Sequence, residues 1–358
     1  MTADTSNARN LYYDYARTFS YNADVTMIIT ARDRGKTYGI RMAALDDYLR
    51  DGNRFVEIVR YKNELPGIMA GYFDKLAINE KFVDYEFKTE SGRGFIRPRQ
   101  EDSEETVPWE TLCYFVALSE AQNAKKRTYV RVRKIIFDEA LIEAGMYLRY
   151  LPREWELLAN VIDTVTRETG QGGVRPHAYL LSNACDLVNP YFTAWGIDSV
   201  PQYGYTWYAG KTVLLHYEDP RANPVDRSRT TLAGRMVAGT DEGRTAIGNE
   251  FVTARDDDIA QKPSHAKFWI GLVYQGTEFG IWVDWVEGYY YITRRIPSDA
   301  GTVYSLTRRD NTANRLIARR VTPELRIIAQ AYYDRIIKFD TIATRENLLD
   351  ALSVFGIR

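Results

Sequence analysis

The sequence predicts an α/β protein whose first two-thirds form a mainly parallel sheet covered by helices. Two observations lead to this prediction: short apolar, β-branched runs recur along this part of the chain, and helical patterns lie between them. Such alternation is typical of parallel sheets that are buried on both faces. The last third differs, because long strands joined by glycine-containing turns predict a separate domain built on an antiparallel meander.

The first predicted unit is a strand, a tight loop and a helix. Val25 to Thr30 is a short buried strand, and the polar loop ARDRGKT follows it. Gly52 stands where the helix would end, and a second strand, Phe55 to Tyr61, follows at once. The apolar residues that recur at about one-turn spacing in this helix are Tyr38, Met42, Leu45 and Leu49.

The middle of the chain continues the alternation less regularly. Residues 65–78 fit a helix, residues 85–111 contain strand-like pieces, and residues 112–118 form another apolar run. Ile135 to Phe137 is a short buried strand that ends in two acidic residues. Further along come Pro152, placed for the first turn of a helix, the apolar helix face Trp155, Leu158, Ile162 and Val165, and the buried strand Ala178 to Leu181.

A proline-rich polar segment, residues 219–229, marks the edge of the first domain. We therefore predict a first domain over residues 1–220, a weakly patterned linker domain over 221–258 and a C-terminal domain over 259–358. The last domain closes with a helix that Thr322 caps and Pro323 begins, and its predicted face is Leu325, Ile328, Tyr332 and Ile336.

Composition excludes several classes of protein. The two cysteines, Cys113 and Cys185, lie in apolar runs, which favours buried thiols in a reducing compartment over a disulfide framework. No segment approaches the roughly 18 apolar residues of a membrane helix, and the first residues lack a signal-peptide core. We therefore expect a soluble cytoplasmic protein. Residues 259–358 carry 14 basic and 10 acidic residues, a mild excess that also fits an ordinary solvated surface.

The loop after the first strand matches the phosphate-binding pattern G-x-x-x-x-G-K-[ST] except that Thr30 replaces the first glycine. Backbone N–H groups at a helix N-terminus hold phosphate oxygens, Lys36 supplies a positive charge, and Thr37 offers a hydroxyl to Mg²⁺. Arg32 and Gly35 belong to the same predicted nucleotide site. Taken alone, this loop also fits a basic strand–helix turn.

Two acidic residues end a later strand, in the sequence IIFDE. Asp138 would hold the metal, and Glu139 would polarise an attacking water as general base. Asn183 follows the next buried strand, where a small polar side chain can hydrogen-bond the water or the γ-phosphate, although such a residue is more often a turn cap. The loop and the acid pair together predict an enzyme that hydrolyses ATP with Mg²⁺.

The order of several motifs along the chain resembles one family. These motifs are ARDRGKT, FVEIVRYKNEL, KIIFDE, VIDTVTR, LLSNACDLVNPYF and VYQGTEFGIWVDWVEGYYYI. The chain is similar to the packaging ATPases of small tailed phages of the phi29 type, distant relatives of large terminases. The resemblance implies an ASCE-type P-loop ATPase domain, a short linker domain and an α+β C-terminal domain like a degenerate RNase H nuclease. It also implies a pentameric ring on the portal vertex of an empty procapsid.

The resemblance also assigns roles to single residues. Arg167 lies where the family has an arginine finger that acts on a neighbouring subunit, and Lys125 lies at the position of a second trans-acting basic residue. Lys126 is an alternative to Lys125. Asn183 takes the place of a sensor, and Tyr13 is a candidate for stacking on adenine.

The predicted function is an ATP-driven motor that moves double-stranded DNA into a viral procapsid in the host cytoplasm. It would dock transiently at the portal and be absent from the mature virion; whether a packaging RNA tethers the ring stays open. Two alternatives remain: a terminase-like enzyme with an active nuclease around Asp284, Glu278 and Glu287, and a non-motor assembly scaffold that binds ATP. The basic residues expected to contact DNA phosphates are Arg294, Arg295, Arg308, Arg309, Arg315, Arg319 and Arg320.

Overall fold

A computed structural model shows two compact units, Met1–Val252 and Thr253–Arg358, and each is described by itself. Most of the predicted linker domain lies outside the described residues, so the three-domain division stays a prediction. The structure describes residues 13–99, 107–142, 150–170, 175–185, 187, 189–197, 199–222, 249, 251 and 258–355.

A nine-stranded sheet forms the centre of the first unit. Its strands are β1 (Val25–Ile29), β2 (Arg54–Val59), β3 (Tyr85–Glu90), β4 (Arg93–Pro98), β5 (Glu110–Ala117), β6 (Val132–Phe137), β7 (His177–Ser182), β8 (Gly204–Tyr208) and β9 (Val213–Tyr217). They lie in the order β3-β4-β5-β2-β6-β7-β1-β9-β8. The strands from β5 to β9 in this order are parallel, whereas β3, β4 and β8 are antiparallel additions at the edges. The predicted mainly parallel α/β fold is confirmed.

The helices of the first unit agree in part with the sequence prediction. They are α1 (Tyr15–Ser20), α2 (Lys36–Asp51), α3 (Leu65–Ala70), α4 (Asp74–Ala77), α5 (Ala121–Ala124), α6 (Glu154–Gly170) and α7 (Pro190–Trp195). The helix predicted over residues 65–78 is two short helices, because the first ends at Gly71. Pro152 was expected in the first turn of α6, but that expectation is wrong: Arg153 has a φ of 54°, so the helix begins only at Glu154.

Helices cover both faces of this sheet. In β1, Met27 and Ile29 join one buried apolar cluster and Ile28 joins the other, as expected when successive side chains of a strand point to opposite faces. The predicted apolar face of α6 packs in the first cluster. The buried residues of α2, among them Ile40 and Leu45, pack in the second. The core therefore fixes the position of every strand that ends at the site described below.

The hairpin of β8 and β9 has no counterpart in the sequence prediction. In the sequence GYTWYAGKTVLLHY, aromatic residues interrupt the alternation of apolar and polar residues that would predict a strand. The apolar run of β9 is also short. β9 nevertheless pairs with β1 along its whole length, from Val25 with Val213 to Ile29 with Tyr217. This strand therefore completes the parallel part of the sheet.

The second unit contains a six-stranded sheet in the order β14-β13-β10-β11-β12-β15. Its elements are β10 (Lys267–Tyr274), β11 (Thr277–Asp284), β12 (Tyr289–Thr293), β13 (Val303–Ser305), β14 (Leu316–Ile317), β15 (Ile337–Phe339), α8 (Pro323–Tyr333) and α9 (Ile342–Ser353). The predicted meander is β10 to β12, and β13 and β14 extend it as parallel strands. The predicted likeness of this unit to an RNase H nuclease stays a prediction. Thr322 caps α8 as predicted, but Ile336 lies beyond its end and is exposed.

Both cysteines are free and buried, as predicted, and burial raises the pKa of the Cys113 thiol well above its usual range. Within the described parts of the chain, no helix combines the length and apolar character needed to cross a bilayer.

Candidate functional site

The carboxyl ends of β6, β7 and β1 meet at one edge of the sheet. These strands are parallel neighbours, with Ile29 opposite Ser182 and Phe137 opposite Leu180. The residues that follow them, Thr30, Asn183 and Asp138, are therefore adjacent although they are far apart in sequence. Open parallel sheets bind ligands at this edge, so the predicted site lies where the fold favours one.

The loop after β1 turns sharply into α2. Gly35 has a φ of 65°, which glycine adopts without strain, and it is the residue before the first turn of the helix. The first N–H groups of a helix have no partner within the helix and carry partial positive charge. The loop and the start of α2 therefore form a concave backbone surface suited to an anion.

Thr30 stands where the phosphate-binding pattern has its first glycine, and the structure accommodates it. Its side chain is fully buried, and its hydroxyl donates to the Ala31 carbonyl at 2.9 Å. Its N–H donates to the Ser182 carbonyl at 3.1 Å, which continues the β1–β7 pairing into the loop. The substitution therefore leaves the loop anchored to the neighbouring strand.

Lys36 and Asn183 are in direct contact. The Lys36 ammonium donates to Asn183 Oδ1 at 2.6 Å. Burial lowers the pKa of Lys36, although the nearby Asp138 carboxylate acts in the opposite direction. Tyr15, for which no sequence pattern indicated a role, donates its hydroxyl to the Lys36 carbonyl at 2.6 Å. The loop lysine and the predicted sensor are thus in direct contact.

Thr37 and Asp138 form the second contact between the two motifs. The Thr37 hydroxyl donates to Asp138 Oδ2 at 2.7 Å, and the N–H of Glu139 donates to Asp138 Oδ1 at 3.0 Å. A hydroxyl and a carboxylate oxygen side by side are hard donors of the kind that Mg²⁺ prefers. Glu139 is exposed and has a φ of 53°, so the chain turns sharply immediately after the metal-type ligand.

A buried ion pair fixes the loop from the side of β9. Arg34 donates to both carboxylate oxygens of Glu218, with N–O distances of 3.0 and 2.7 Å. Arg34 is 5% exposed, and Glu218 is the first residue after β9. Because β9 was not predicted, the partner of this arginine was not predicted either. The pair holds the loop by a two-point contact.

A second buried ion pair, Arg60 with Glu154, contacts the backbone of the segment after β6. Arg60, the residue after β2, donates to both oxygens of Glu154 at 2.9 and 3.1 Å. It also donates to the carbonyls of Glu139 and Ala140, at 3.3 and 2.7 Å. Tyr191 donates to Glu154 at 2.5 Å. Sequence reasoning missed this cluster, which connects the segment after β6 to the first turn of α6.

Tyr13 is buried and belongs to a polar aromatic cluster. Its hydroxyl is 2.6 Å from His216 Nδ1 and 2.7 Å from the Thr18 hydroxyl, and its ring meets Tyr15 edge to face. Burial, with a smaller effect of Arg17, lowers the pKa of His216 to about 4. Only 7% of Tyr13 is exposed, which leaves little of its ring for stacking. Its predicted role at adenine stays a prediction.

The predicted trans-acting residues are exposed and do not join the site of their own chain. Arg167 lies in the last turn of α6, where it pairs with Asp163 at 3.2 Å. Thirteen residues of helix, about 20 Å, separate it from Glu154. Lys125 follows α5 and is exposed, as is its alternative Lys126. Arg32 is also exposed, in the loop after β1.

Two of the three acidic residues considered for a nuclease have other partners. Asp284 accepts the N–H groups of Val286 and Glu287 and lies 3.0 Å from His265 Nε2. Glu278 pairs with Arg315 at 3.2 Å. Among the residues that the structure describes, no group of three or more acidic, histidine or cysteine side chains is arranged to hold a metal ion. These contacts explain Asp284 and Glu278 as structural residues.

Comparison with known proteins gives concordant results. The family model described as podovirus DNA encapsidation protein (Gp16) matches residues 7–352. A DNA packaging protein of Bacillus phage B103 is 30% identical over 325 residues, which cover 90% of this chain and 94% of the relative. The corresponding protein of Bacillus phage phi29 is 28% identical over 339 residues, covering 94% and 96%. A chain in the solved bacteriophage phi29 genome packaging motor assembly is 26% identical, with a TM-score of 0.69 and coverage of 96% and 99%.

The two-point contact of Arg34 leads to a stability prediction. Arg34→Lys keeps the charge but replaces two parallel hydrogen bonds to Glu218 by one, because an ammonium is not a planar fork. We expect a decrease of about 1.5–3 kcal/mol in the free energy of unfolding, the usual contribution of a hydrogen bond to a charged group. Arg50→Lys is the control, since Arg50 forms surface pairs with Asp47 and Asp51. Chemical unfolding of the full chain measures both; equal stability of the two variants would contradict the prediction.

Proposed function

This chain belongs to the family of podovirus DNA encapsidation proteins, and from this premise we propose that it is an ATP-hydrolysing motor that translocates double-stranded DNA into a viral procapsid. The observation that carries the ATPase part is the meeting of two distant motifs at one sheet edge. Lys36 contacts Asn183, and Thr37 contacts Asp138. The biological part is supported by the relatives, which are DNA packaging proteins and a chain of a genome packaging motor.

The residues present fit a nucleotide with Mg²⁺. Thr37 and Asp138 would hold the ion, which when bound offsets negative charge on the β- and γ-phosphates. Lys36 leaves its contact with Asn183 to bind phosphate oxygens, for which its half-buried ammonium is a strong donor. The backbone N–H groups of the loop and of the first turn of α2 hold the remaining oxygens.

Glu139 acts as the general base in this proposal. It is exposed at the sheet edge directly after Asp138, so a water between it and the γ-phosphate can lose its proton to the carboxylate as it attacks. Arg60 holds the backbone carbonyl of Glu139 and thereby limits where its side chain can reach. Asn183, once Lys36 has turned to the phosphates, can hydrogen-bond the γ-phosphate or the water.

We propose that hydrolysis takes place at the interfaces of a homo-oligomeric ring, a pentamer. Arg167 lies far from the phosphate loop of its own chain, because the end of α6 lies at the opposite edge of the sheet: the Thr169 hydroxyl donates to the Tyr129 carbonyl, shortly before β6 begins. An exposed cation there can reach the γ-phosphate of a neighbour. Lys125, or Lys126 beside it, is the second proposed trans-acting residue.

The second unit offers a surface for DNA phosphates. β12, β13 and β14 run in the same direction, and an arginine pair follows each within four residues. Six exposed arginines therefore lie along one edge of this sheet, and Arg315 is partly buried in its pair with Glu278. Rows of exposed arginines bind the nucleic-acid backbone regardless of sequence. The pairs are Arg294–Arg295, Arg308–Arg309 and Arg319–Arg320.

The proposed setting is the portal vertex of a procapsid in the host cytoplasm, with DNA, the portal and neighbouring copies of the chain as partners. A packaging RNA is a further proposed partner, and the mature virion would lack the motor. The nuclease alternative gains no support from Asp284, whose oxygens bind a turn and a histidine. The scaffold alternative does not account for Glu139, because a protein that binds ATP without hydrolysing it needs no general base.

Variants of the two motifs should have different effects. We expect Lys36→Ala to abolish productive ATP binding, because the phosphate charges lose their partner. We expect Glu139→Gln to bind ATP normally but to hydrolyse it about 10²–10⁴-fold more slowly, the usual contribution of a general base. ATP binding and turnover are measured on the full chain with DNA and procapsids. Near-normal turnover by Glu139→Gln would show that another group is the base.

Mixed rings test the trans role of Arg167. Arg167→Ala subunits and Glu139→Gln subunits should each be nearly inactive, since arginine fingers contribute roughly 10³–10⁵ in rate. When they are mixed, some interfaces pair an intact Glu139 with an intact Arg167, and ATPase activity should partly return. Mixtures of Lys36→Ala with Glu139→Gln are the control, because both residues belong to one site and no interface is complete. Equal activity of the two mixtures would rule out a trans-acting Arg167.

The salt dependence of DNA binding tests the role of the exposed arginines along one edge of the second sheet. Changing Arg319 and Arg320 to Gln should reduce the slope of log affinity against log salt by up to about 0.9 for each phosphate that the variant no longer neutralises. The control pair, Lys267→Gln with Arg335→Gln, removes the same charge at the opposite edge, at the start of β10 and before β15, and should leave the slope unchanged. Binding of the full chain to duplexes of unrelated sequence is measured. Equal slopes for the two double variants would show that Arg319 and Arg320 do not contact DNA phosphates.

A further inference from the structure

Asn249 is a fully buried polar residue that neither motif includes. It is 0% exposed and has a φ of 49°, a backbone conformation that asparagine tolerates better than most residues. It lies three residues before the end of the first unit, in the region that the sequence assigns to a linker. A buried amide in such a conformation has to be explained by what it binds.

The side chain of Asn249 joins the ends of three neighbouring strands. The N–H of Ala184, after β7, donates to its Oδ1 at 3.2 Å. Its Nδ2 donates to the carbonyl of Glu218, after β9, at 2.9 Å, and more weakly to that of Ile29, the last residue of β1, at 3.4 Å. One donor and two acceptors surround the amide, so only an amide in this orientation satisfies all three.

Each of these backbone groups adjoins a residue of the proposed site. Ala184 directly follows Asn183, which contacts Lys36. Ile29 directly precedes Thr30, where the phosphate loop begins. Glu218 is the carboxylate that holds Arg34 of that loop. A single side chain therefore fixes the relative positions of the sensor, the start of the loop and the lateral anchor of the loop.

Two further contacts keep Asn249 in place. The Tyr217 hydroxyl donates to the Asn249 carbonyl. Phe251, two residues later, is buried and packs against Phe192 and Tyr217, with ring centroids 5.6 and 5.2 Å apart. Phe251 therefore belongs to the core next to the proposed nucleotide site.

We propose that Asn249 is a positioning residue for ATP hydrolysis, which sets the rate of the chemical step by holding the ends of β1, β7 and β9 in register. This inference rests on the proposed ATPase function. The hydrogen bonds of the Asn249 amide go to backbone groups, so its removal leaves the side-chain contacts of Lys36, Thr37 and Asp138 intact. Asn183 and the start of the loop lose their common support, and misplacement of reacting groups by about 1 Å costs on the order of 10²-fold in rate.

The main test compares Asn249→Asp and Asn249→Gly with wild type. Asp keeps the size and one acceptor but loses both donors, and Gly removes the side chain while accepting the positive φ. We expect kcat per nucleotide-bound subunit to fall about 10- to 100-fold in each, with KM and the dissociation constant of a fluorescent ATP analogue within a few-fold of wild type. Tyr217→Phe, a milder change that keeps the aromatic core, should lower kcat several-fold in the same direction.

Asn53→Asp is the matched control. Asn53 is also buried, at 5% exposure, but it precedes β2 at the opposite edge of the same sheet. Both Asp variants bury a carboxylate, so a purely structural role of Asn249 predicts equal losses of active protein in the two, with normal kcat per bound nucleotide. That result, or unchanged kcat in Tyr217→Phe and Asn249→Gly, overturns the inference. Failure of wild type to hydrolyse ATP with DNA and procapsids would instead overturn the proposed function.

Discussion

The parallel pairing of β6, β7 and β1 is the constraint on which the rest of the structure depends. It brings together three short segments that are far apart in sequence, and it does so through backbone hydrogen bonds that do not depend on side-chain identity. The direct contacts of Lys36 with Asn183 and of Thr37 with Asp138 follow from this register. A slip of one residue would reverse the faces of a strand and dismantle both contacts.

Charge burial around this edge has a cost that the structure offsets in each case. Arg34 and Arg60 are both nearly buried, and each meets a carboxylate through two hydrogen bonds. A buried ion pair seldom adds much stability compared with apolar packing, but removal of one partner is strongly destabilising. We therefore interpret these pairs as devices that hold the loop after β1 and the segment after β6 in one geometry, which a site for a highly charged ligand requires.

The sequence predicted what is local and periodic. The β1–loop–α2 unit, the acid pair after β6 and the cap of α8 each depend on neighbouring residues, and the structure contains them. It did not predict β9, Glu218 or the tasks of Arg60 and Asn249, because these depend on which strands become neighbours and on hydrogen bonds to backbone groups far along the chain. The failure at Pro152 has a local cause: a single left-handed residue, Arg153, delays the start of α6.

The proposed site residues form two groups that differ in position and burial. Residues that would act within one subunit lie at the sheet edge, in contact with one another or with buried ion pairs. Arg167 and Lys125 are exposed, and the end of α6 lies at the edge of the sheet opposite the phosphate loop. A cation kept at the surface avoids desolvation in the free subunit and becomes desolvated only when a neighbour covers it. In the proposed function, the single chain therefore supplies the residues that bind nucleotide, whereas full activity would require a neighbouring subunit.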